Sequence, residues 1–211
     1  MRHTSYDTKR GFALVELLTA IAIFGILSAF LVTVYQKMRD RLFLTSTAYE
    51  VALAFRETQS FGVSVKQSGS GASANFNSAY GLHFETGSNA TFIRFADTLS
   101  GGADETFYGE GHTDSGCVAS TECLTVLRLE QGNTLEKFCG ITTTETTECS
   151  DTSGVTFLDI SFRRPNPDAV IKTNRSISDS TLYTAAEIHL ISPLGDHKEV
   201  RVTNTGQISV N

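Results

Sequence analysis

The chain has 211 residues, of which 40% are hydrophobic and 19% charged, the balance of an ordinary folded protein rather than a collagen-like or Pro-rich one. Its 23 acidic and 17 basic side chains leave a net charge of −6, which argues against a protein that binds nucleic acid by neutralising phosphates. The length suits one globular domain with one extra element, not two sizeable domains.

The extra element is an apolar segment near the N terminus, residues 12–35, in which Glu16 is the one charged residue. A helix needs about 20 residues to cross a bilayer, so the segment is long enough. It is too long for a cleavable secretory signal, and no small-x-small site follows it. An ordinary anchor fits the length but leaves Glu16 unexplained, because a charged side chain near the membrane centre costs about 2.5–3.5 kcal/mol.

The residues just before the apolar segment account for this acid. Lys9 and Arg10 end a short basic leader, Gly11 and Phe12 follow, and Glu16 is the fifth residue after Gly11. This pattern resembles the processing site of type IV prepilins and pseudopilins. The resemblance implies that a prepilin peptidase cleaves after Gly11 on the cytoplasmic side and that the new amine of Phe12 is methylated.

Such cleavage would give Glu16 a partner in an assembled filament. The cationic amine of Phe12 in one subunit can pair with Glu16 of its neighbour, so that assembly relieves both buried charges. The alternative is that Glu16 reaches the lipid headgroups within a single subunit.

The helical pattern continues beyond the membrane segment. Apolar residues recur at helical spacing at Leu44, Ala48, Val51, Ala52 and Phe55. We therefore predict one helix over about 12–65, with residues 12–35 as its transmembrane and assembly half and residues 36–66 as its amphipathic half. Two helices with a break near Lys37 are the alternative. A Gly/Ser-rich linker over 67–78 follows.

The remaining residues, 79–211, predict a β-rich exported domain of half-buried antiparallel strands joined by polar turns. Strand patterns fall near residues 80–84, 89–95, 123–130, 134–141, 158–162, 188–190, 200–202 and 208–210. Residues 97–122 and 142–154 are expected to form irregular loops. His83 and His189 fall on the polar side of their strands, where a solvated histidine is expected.

Taken together, these elements predict an α+β fold in which a long N-terminal helix packs on a C-terminal antiparallel β domain. This is the pilin-like architecture. Residues 48–64, 80–84 and 200–210 are similar to minor pilins and pseudopilins of the GspH/FimT class, beyond the resemblance at the leader.

Four cysteines follow the membrane segment, and an oxidising compartment would favour disulfides between them. Three pairings exist. The spacing favours Cys117–Cys123 and Cys139–Cys149, each of which closes a short polar loop. A zinc site is the competing interpretation, although the closely spaced C-x2-C pairs that it needs are missing. The third interpretation is that the cysteines are free buried thiols.

Catalytic signals are weak. The sequence contains no G-x-S-x-G, H-E-x-x-H or phosphate-binding glycine loop. We therefore expect no catalytic residues, no cofactor and no metal site, and an enzyme is disfavoured.

The sequence predicts a structural subunit, a minor pilin or pseudopilin of a type IV pilus or type II secretion-like filament. The resemblance implies as partners a prepilin peptidase, other pilin or pseudopilin subunits that bind through their N-terminal helices, and an inner-membrane assembly platform. The expected location is the cytoplasmic membrane, in a single pass with the C-terminal domain outside the cytoplasm, and then the filament. A tip adhesin or DNA-binding minor pilin, and a membrane-anchored protein with an unrecognised extracytoplasmic activity, are the alternatives.

Overall fold

The computed structural model describes residues 14–64, 78–98, 105–107, 112–113, 116–117, 122–179 and 181–211. The chain divides into two compact units, residues 1–39 and 40–211. The leader, residues 1–11, and residues 67–77 of the predicted linker lie outside the described residues.

The first helix, α1, begins at Leu14 and ends at Val63. Its sequence has no proline, and Gly25 and Gly62 are its two glycines, so nothing in the interior of the helix forces a break. The helix has no interruption at Lys37, which removes the alternative of two separate helices.

In the first unit, the apolar side chains of α1 are exposed. Residues with more than half of their surface exposed include Leu14, Val15, Leu17, Leu18, Ile21, Ile23, Phe24, Ile26, Leu27, Phe30, Leu31 and Val32. By length and composition, α1 is able to cross a membrane.

In the second unit, the helix is amphipathic. All residues of the predicted stripe are buried: Leu44, Ala48, Val51, Ala52 and Phe55. Ala54, beside the stripe, is buried as well. Leu42, Tyr49 and Leu53 instead remain more than half exposed on other faces of the helix.

Twelve strands and one short helix complete the second unit among the described residues. In chain order they are β1 (Tyr80–Glu85), β2 (Thr91–Ala96), β3 (His112–Thr113), β4 (Gly116–Cys117), β5 (Cys123–Arg128), β6 (Thr134–Thr142), β7 (Thr147–Cys149), β8 (Phe157–Phe162), β9 (Ala169–Thr173), α2 (Asn174–Asp179), β10 (Tyr183–Ile191), β11 (His197–Thr203) and β12 (Ile208–Val210).

These strands form two five-stranded sheets and one two-stranded sheet. The first sheet has the order β5-β2-β1-β8-β9 and the second the order β12-β11-β10-β6-β7, and β3 pairs with β4. All the pairs are antiparallel. The predicted α+β architecture, a long N-terminal helix followed by antiparallel sheets, is therefore confirmed. The expectation of wholly irregular loops was wrong, because β3, β4 and β7 lie within them.

The hydrophobic core of the second unit combines the buried face of α1 with the inner faces of both sheets. Phe55 of the helix lies 6.0 Å from Phe84 of β1, measured between ring centroids, and Phe84 stacks on Phe92 of β2 at 5.2 Å. From the second sheet, Ile188 and Val200 are fully buried in the same cluster. The helix thus serves as one wall of the core.

The first sheet departs from the predicted half-buried pattern. Its strand β1 is buried on both faces, and His83 is 6% exposed, so the prediction of a solvated histidine there was wrong. The physical reason is a covering segment, which we define as residues 105–107. The ring of Phe107 lies 4.7 Å from the ring of His83 and 5.6 Å from that of Phe95. Alternation along one strand carries no information about what a distant loop will cover.

Candidate functional site

The N-terminal motif is only partly within the described residues. Gly11 and Phe12 lie outside them, whereas Glu16 lies in the first turn of α1. Thr19 donates a hydrogen bond of 2.9 Å from its Oγ1 to the main-chain oxygen of Glu16. The Glu16 side chain is exposed, among apolar side chains that are exposed as well. Over residues 14–35, Glu16 is the one charged side chain on this mainly apolar surface.

Polar contacts join the start of the second unit's helix to the turn between β10 and β11. Ser192, which follows β10, donates its hydroxyl to the carboxylate of Asp40. Arg41 pairs with Asp196 at 3.3 Å. These contacts locate the beginning of the packed part of α1 at residue 40.

Deeper in the interface, a buried hydrogen bond joins the helix to a turn. Asn133 donates from Nδ2 to Thr47 Oγ1 at 2.7 Å, and both residues are at most 2% exposed. Because buried polar groups without partners are costly, this pair favours one orientation of the helix against the sheets.

Near the end of α1, the helix meets the first sheet through charge. Arg94 of β2 pairs with Glu57 at 2.7 Å, and its guanidinium lies 5.5 Å from the centre of the Phe61 ring. Arg94 is opposite Leu82 in the sheet register and thus on the core face. Sequence reasoning missed this residue, although an arginine between Phe92 and Ala96 on an apolar face is the kind of signal that predicts a buried partner.

The last contacts use main-chain oxygens and a close approach. Gln59 donates from Nε2 to the main-chain oxygens of Pro167 and Gly206, at 2.9 and 3.1 Å. At Gly62, a Cβ atom would lie 2.4 Å from the main-chain oxygen of Phe162, so only glycine permits this approach of helix to sheet. Together these contacts fix residues 40–63 of α1 against both sheets.

The four cysteines form two disulfides, Cys117–Cys123 and Cys139–Cys149. These are the same two links that the spacing favours. Cys139 and Cys149 lie opposite each other on β6 and β7, which explains their proximity. Cys117 on β4 is joined to Cys123 at the beginning of β5.

Buried carboxylates hold the segment that covers the first sheet. Asp159 accepts a hydrogen bond from the main-chain N–H of Phe107 at 2.9 Å, and Asp97 accepts one from Glu105 at 3.0 Å. Both acids are at most 3% exposed. Each acid thus holds the main chain of the covering segment against the first sheet through a hydrogen bond.

His83 is the centre of this buried cluster. Its Nδ1 lies 2.6 Å from Asp159 Oδ1, and its Nε2 lies 3.7 Å from Glu85 Oε2. Burial by itself lowers the pKa of His83, but the hydrogen bonds to Asp159 and Glu85, with the charges of the two acids, outweigh it and raise the pKa to about 9. The imidazolium is therefore a single positive charge shared between two acids, Asp159 and Glu85, next to the covering segment.

This arrangement is better suited to structure than to catalysis. A histidine that acts as a general base needs access to a substrate, whereas His83 has its Nε2 beside Glu85 and a side chain that is 7% exposed. Ser161 lies on the same face, but its Oγ has no hydrogen-bond partner among the described residues, so it is not activated by the histidine as in a serine hydrolase.

Comparison with known proteins finds the N-terminal motif. The family model for the prokaryotic N-terminal methylation motif matches residues 7–32 of the 211-residue chain. Neither the curated proteins nor the solved structures contain a significant match. The matched residues give the chain a type IV pilin-like N terminus, and the apolar helix that follows is consistent with a single-pass membrane anchor.

Proposed function

We propose that the chain is a structural subunit, a minor pilin or pseudopilin, of a type IV pilus or a type II secretion-like filament. The observation that carries the proposal is the methylation motif over residues 7–32, which leads into an exposed apolar helix with a single acid at Glu16. In the proposed pathway a prepilin peptidase cleaves after Gly11, Phe12 is methylated, and the N-terminal helix joins those of other subunits on an inner-membrane platform.

The second unit supports this role because it is a complete fold with a helix built into it. Residues 40–63 of α1 contribute buried side chains to the core, so a force on the helix is passed to both sheets through packed contacts. A filament subunit needs this rigidity, since its helix is held by neighbours while its β domain faces outward.

Exposed apolar residues on the second half of α1 also fit assembly. Leu42, Tyr49 and Leu53 are each about three-fifths exposed in the isolated chain. Burial of such side chains is favourable by about 25 cal/mol per Å². In the proposed filament they pack against neighbouring subunits beyond the membrane.

Processing is tested by mass spectrometry of the N-terminal peptide from cells with an active prepilin peptidase. We expect a chain that begins at a methylated Phe12. Replacement of Gly11 by leucine should block cleavage, whereas Gly11→Ala should retain part of it, because a small side chain is the closest to glycine. An intact Met1 terminus in the unsubstituted protein would contradict processing.

Assembly is tested with Glu16→Val and the matched control Thr19→Val, which removes a polar group without charge from the same part of the helix. Removal of the acid should leave membrane insertion unchanged or slightly favoured, because burying a charge costs about 2.5–3.5 kcal/mol. The Phe12 amine of the neighbour then lacks its partner. We expect at least about tenfold less Glu16→Val protein in purified filaments, equivalent to about 1.4 kcal/mol, and wild-type incorporation of Thr19→Val.

The copy number relative to the main subunit, measured in the same filaments, separates a minor subunit within the shaft from a subunit at the tip. Normal incorporation of Glu16→Val would refute the pairing of Phe12 with Glu16 and leave cleavage to be judged by the peptide measurement alone.

A further inference from the structure

Three side chains with metal-binding atoms meet on the outer face of the second sheet. Glu187 and His189 are two residues apart on β10 and therefore point to the same face. Glu199 on β11 lies opposite His189 in the strand register. The sheet itself, rather than a loop, thus positions all three.

The three groups are close enough to share one ion. Each offers one ligand atom, and these atoms all lie within 4.8 Å of one another. His189 Nε2 and Glu187 Oε2 are 3.7 Å apart, and their side chains are only 22% and 14% exposed. Two partly buried carboxylates this close repel each other, and a cation bound between them relieves that repulsion.

Neighbouring residues orient the two carboxylates. Arg201 pairs with Oε1 of Glu187 at 3.3 Å, while Oε2 of the same carboxylate is the atom near His189. Asn211 donates from Nδ2 to Oε1 of Glu199 at 3.2 Å. Carboxylates that bind a metal ion are commonly held by such contacts to one oxygen, which leaves the other oxygen available to the ion.

A competing cation in the same sheet is directed to another acid. Lys137 on β6 is opposite His189 in the register, but its ammonium pairs with Asp151 at 3.4 Å. Arg201 is the nearby positive charge that contacts this group, and it pairs with Oε1 of Glu187, whereas Oε2 lies near His189.

We propose that Glu187, His189 and Glu199 form a binding site for a divalent transition-metal cation of the zinc type. One imidazole nitrogen and two carboxylate oxygens are a donor set that Zn²⁺ accepts, whereas Ca²⁺ and Mg²⁺ prefer oxygen alone. Bonds of about 2.0–2.2 Å in a tetrahedron place ligand atoms about 3.3 Å apart. The 3.7 Å separation of His189 and Glu187 is already near this value, and rotation of the Glu199 side chain closes the set, with water as the fourth ligand.

A bound ion would join β10 to β11 across the centre of the second sheet. Because the unfolded chain does not hold these three residues together, an ion that binds the native state raises the stability of the fold. The site would therefore make the second unit's stability depend on the metal content of its compartment.

The test uses the full chain in detergent, stripped with a chelator, and Zn²⁺ alone as the probe. Isothermal titration calorimetry should give one ion per chain in the wild type, and Zn²⁺ should raise the melting temperature. His189→Gln should weaken binding by at least about tenfold, since even outer-shell contacts contribute about 10–100-fold. Glu199→Gln should do the same, and the melting temperatures of the metal-free variants show that each is folded.

The matched control is His197→Gln. His197 also pairs with a glutamate on this sheet, Glu136 at 2.9 Å, but it is not part of the three-residue group. It should leave Zn²⁺ affinity unchanged. The proposal is overturned if the wild type binds no Zn²⁺, if His189→Gln binds it as tightly as the wild type, or if His197→Gln weakens binding as much as His189→Gln does.

Discussion

The two halves of α1 use the same kinds of residue in opposite ways. Leu27 in the first unit has 57% of its surface exposed, whereas Leu44 in the second has 1%. Residues 14–35 carry almost no charge yet are exposed, and residues 40–63 carry charges on exposed faces and bury an apolar stripe. Both halves are rich in Leu, Ala, Val and Phe, and what distinguishes the second half is that charged residues alternate with its apolar stripe.

The difference shows where each half finds its partner. The second half has its partner within the chain, because both sheets cover its stripe. The apolar surface of residues 14–35 is too extensive to remain in water, so its partner must be lipid or another protein. The second unit thus has its hydrophobic core within the chain, whereas residues 14–35 need a partner outside it.

The largest effect should come from substituting matched leucines in the two halves. Leu44→Ala removes a fully buried side chain and should lower the free energy of unfolding by about 2–5 kcal/mol. Leu27→Ala should change it by less than about 0.5 kcal/mol, because its contacts lie outside the fold. Chemical denaturation of the full chain in detergent measures both. Equal losses would show that the first half also packs within the subunit.

The second prediction concerns the pH dependence of the second unit's stability, which depends on the charge of His83. The pKa of His83 is raised from 6.5 to about 9 in the fold. A raised pKa contributes stability that is fully present below pH 6.5 and is lost as the pH rises through 9. The loss should be about 3 kcal/mol, at 1.36 kcal/mol for each pH unit.

His83→Leu provides the control for this measurement. This variant should be less stable than the wild type already at pH 6, because Asp159 loses its partner. Its stability should change little between pH 6.5 and 9, because the titrating group is gone. A flat profile in the wild type would contradict the charged pair beneath the covering segment.

The disulfide between β6 and β7 should have a somewhat smaller effect. Cys139 and Cys149 are ten residues apart in sequence, and closing so short a loop stabilises by about 2–3 kcal/mol, chiefly by restricting the unfolded chain. Replacement of both by alanine should lower the free energy of unfolding by that amount and leave the fold intact. A variant that no longer folds would show that the core depends on this bridge.

The elements of this fold could be predicted where a single local pattern determined them. The apolar run, the stripe at Leu44 to Phe55 and the alternating strands each follow from spacing, and a strand of the structure overlaps each predicted one. The strand β9 and the helix α2 were not predicted. The N-terminal motif was equally accessible, because its chemistry depends on a fixed interval between Gly11 and Glu16.

Contacts between residues distant in sequence were not accessible in this way. The burial of His83 depends on the covering segment, and that of Arg94 on Glu57 of the helix. The meeting of Glu187 with Glu199 depends on the register of β10 and β11. Each of these contacts depends on the tertiary structure. A histidine or an acid at an alternating position of a strand is therefore predicted to be exposed when only the sequence is known.

The smallest effect concerns the junction between the halves of α1. Arg41 pairs with Asp196 at the first turn of the packed half, but the arginine is 71% exposed. Exposed ion pairs contribute about 0–1 kcal/mol, so Arg41→Ala should barely change stability at low salt and not at all at high salt. If the substitution instead impairs filament incorporation while unfolding is unchanged, Arg41 acts between subunits. The matched exposed control, Arg56→Ala, then shows whether the effect is specific to this end of the helix.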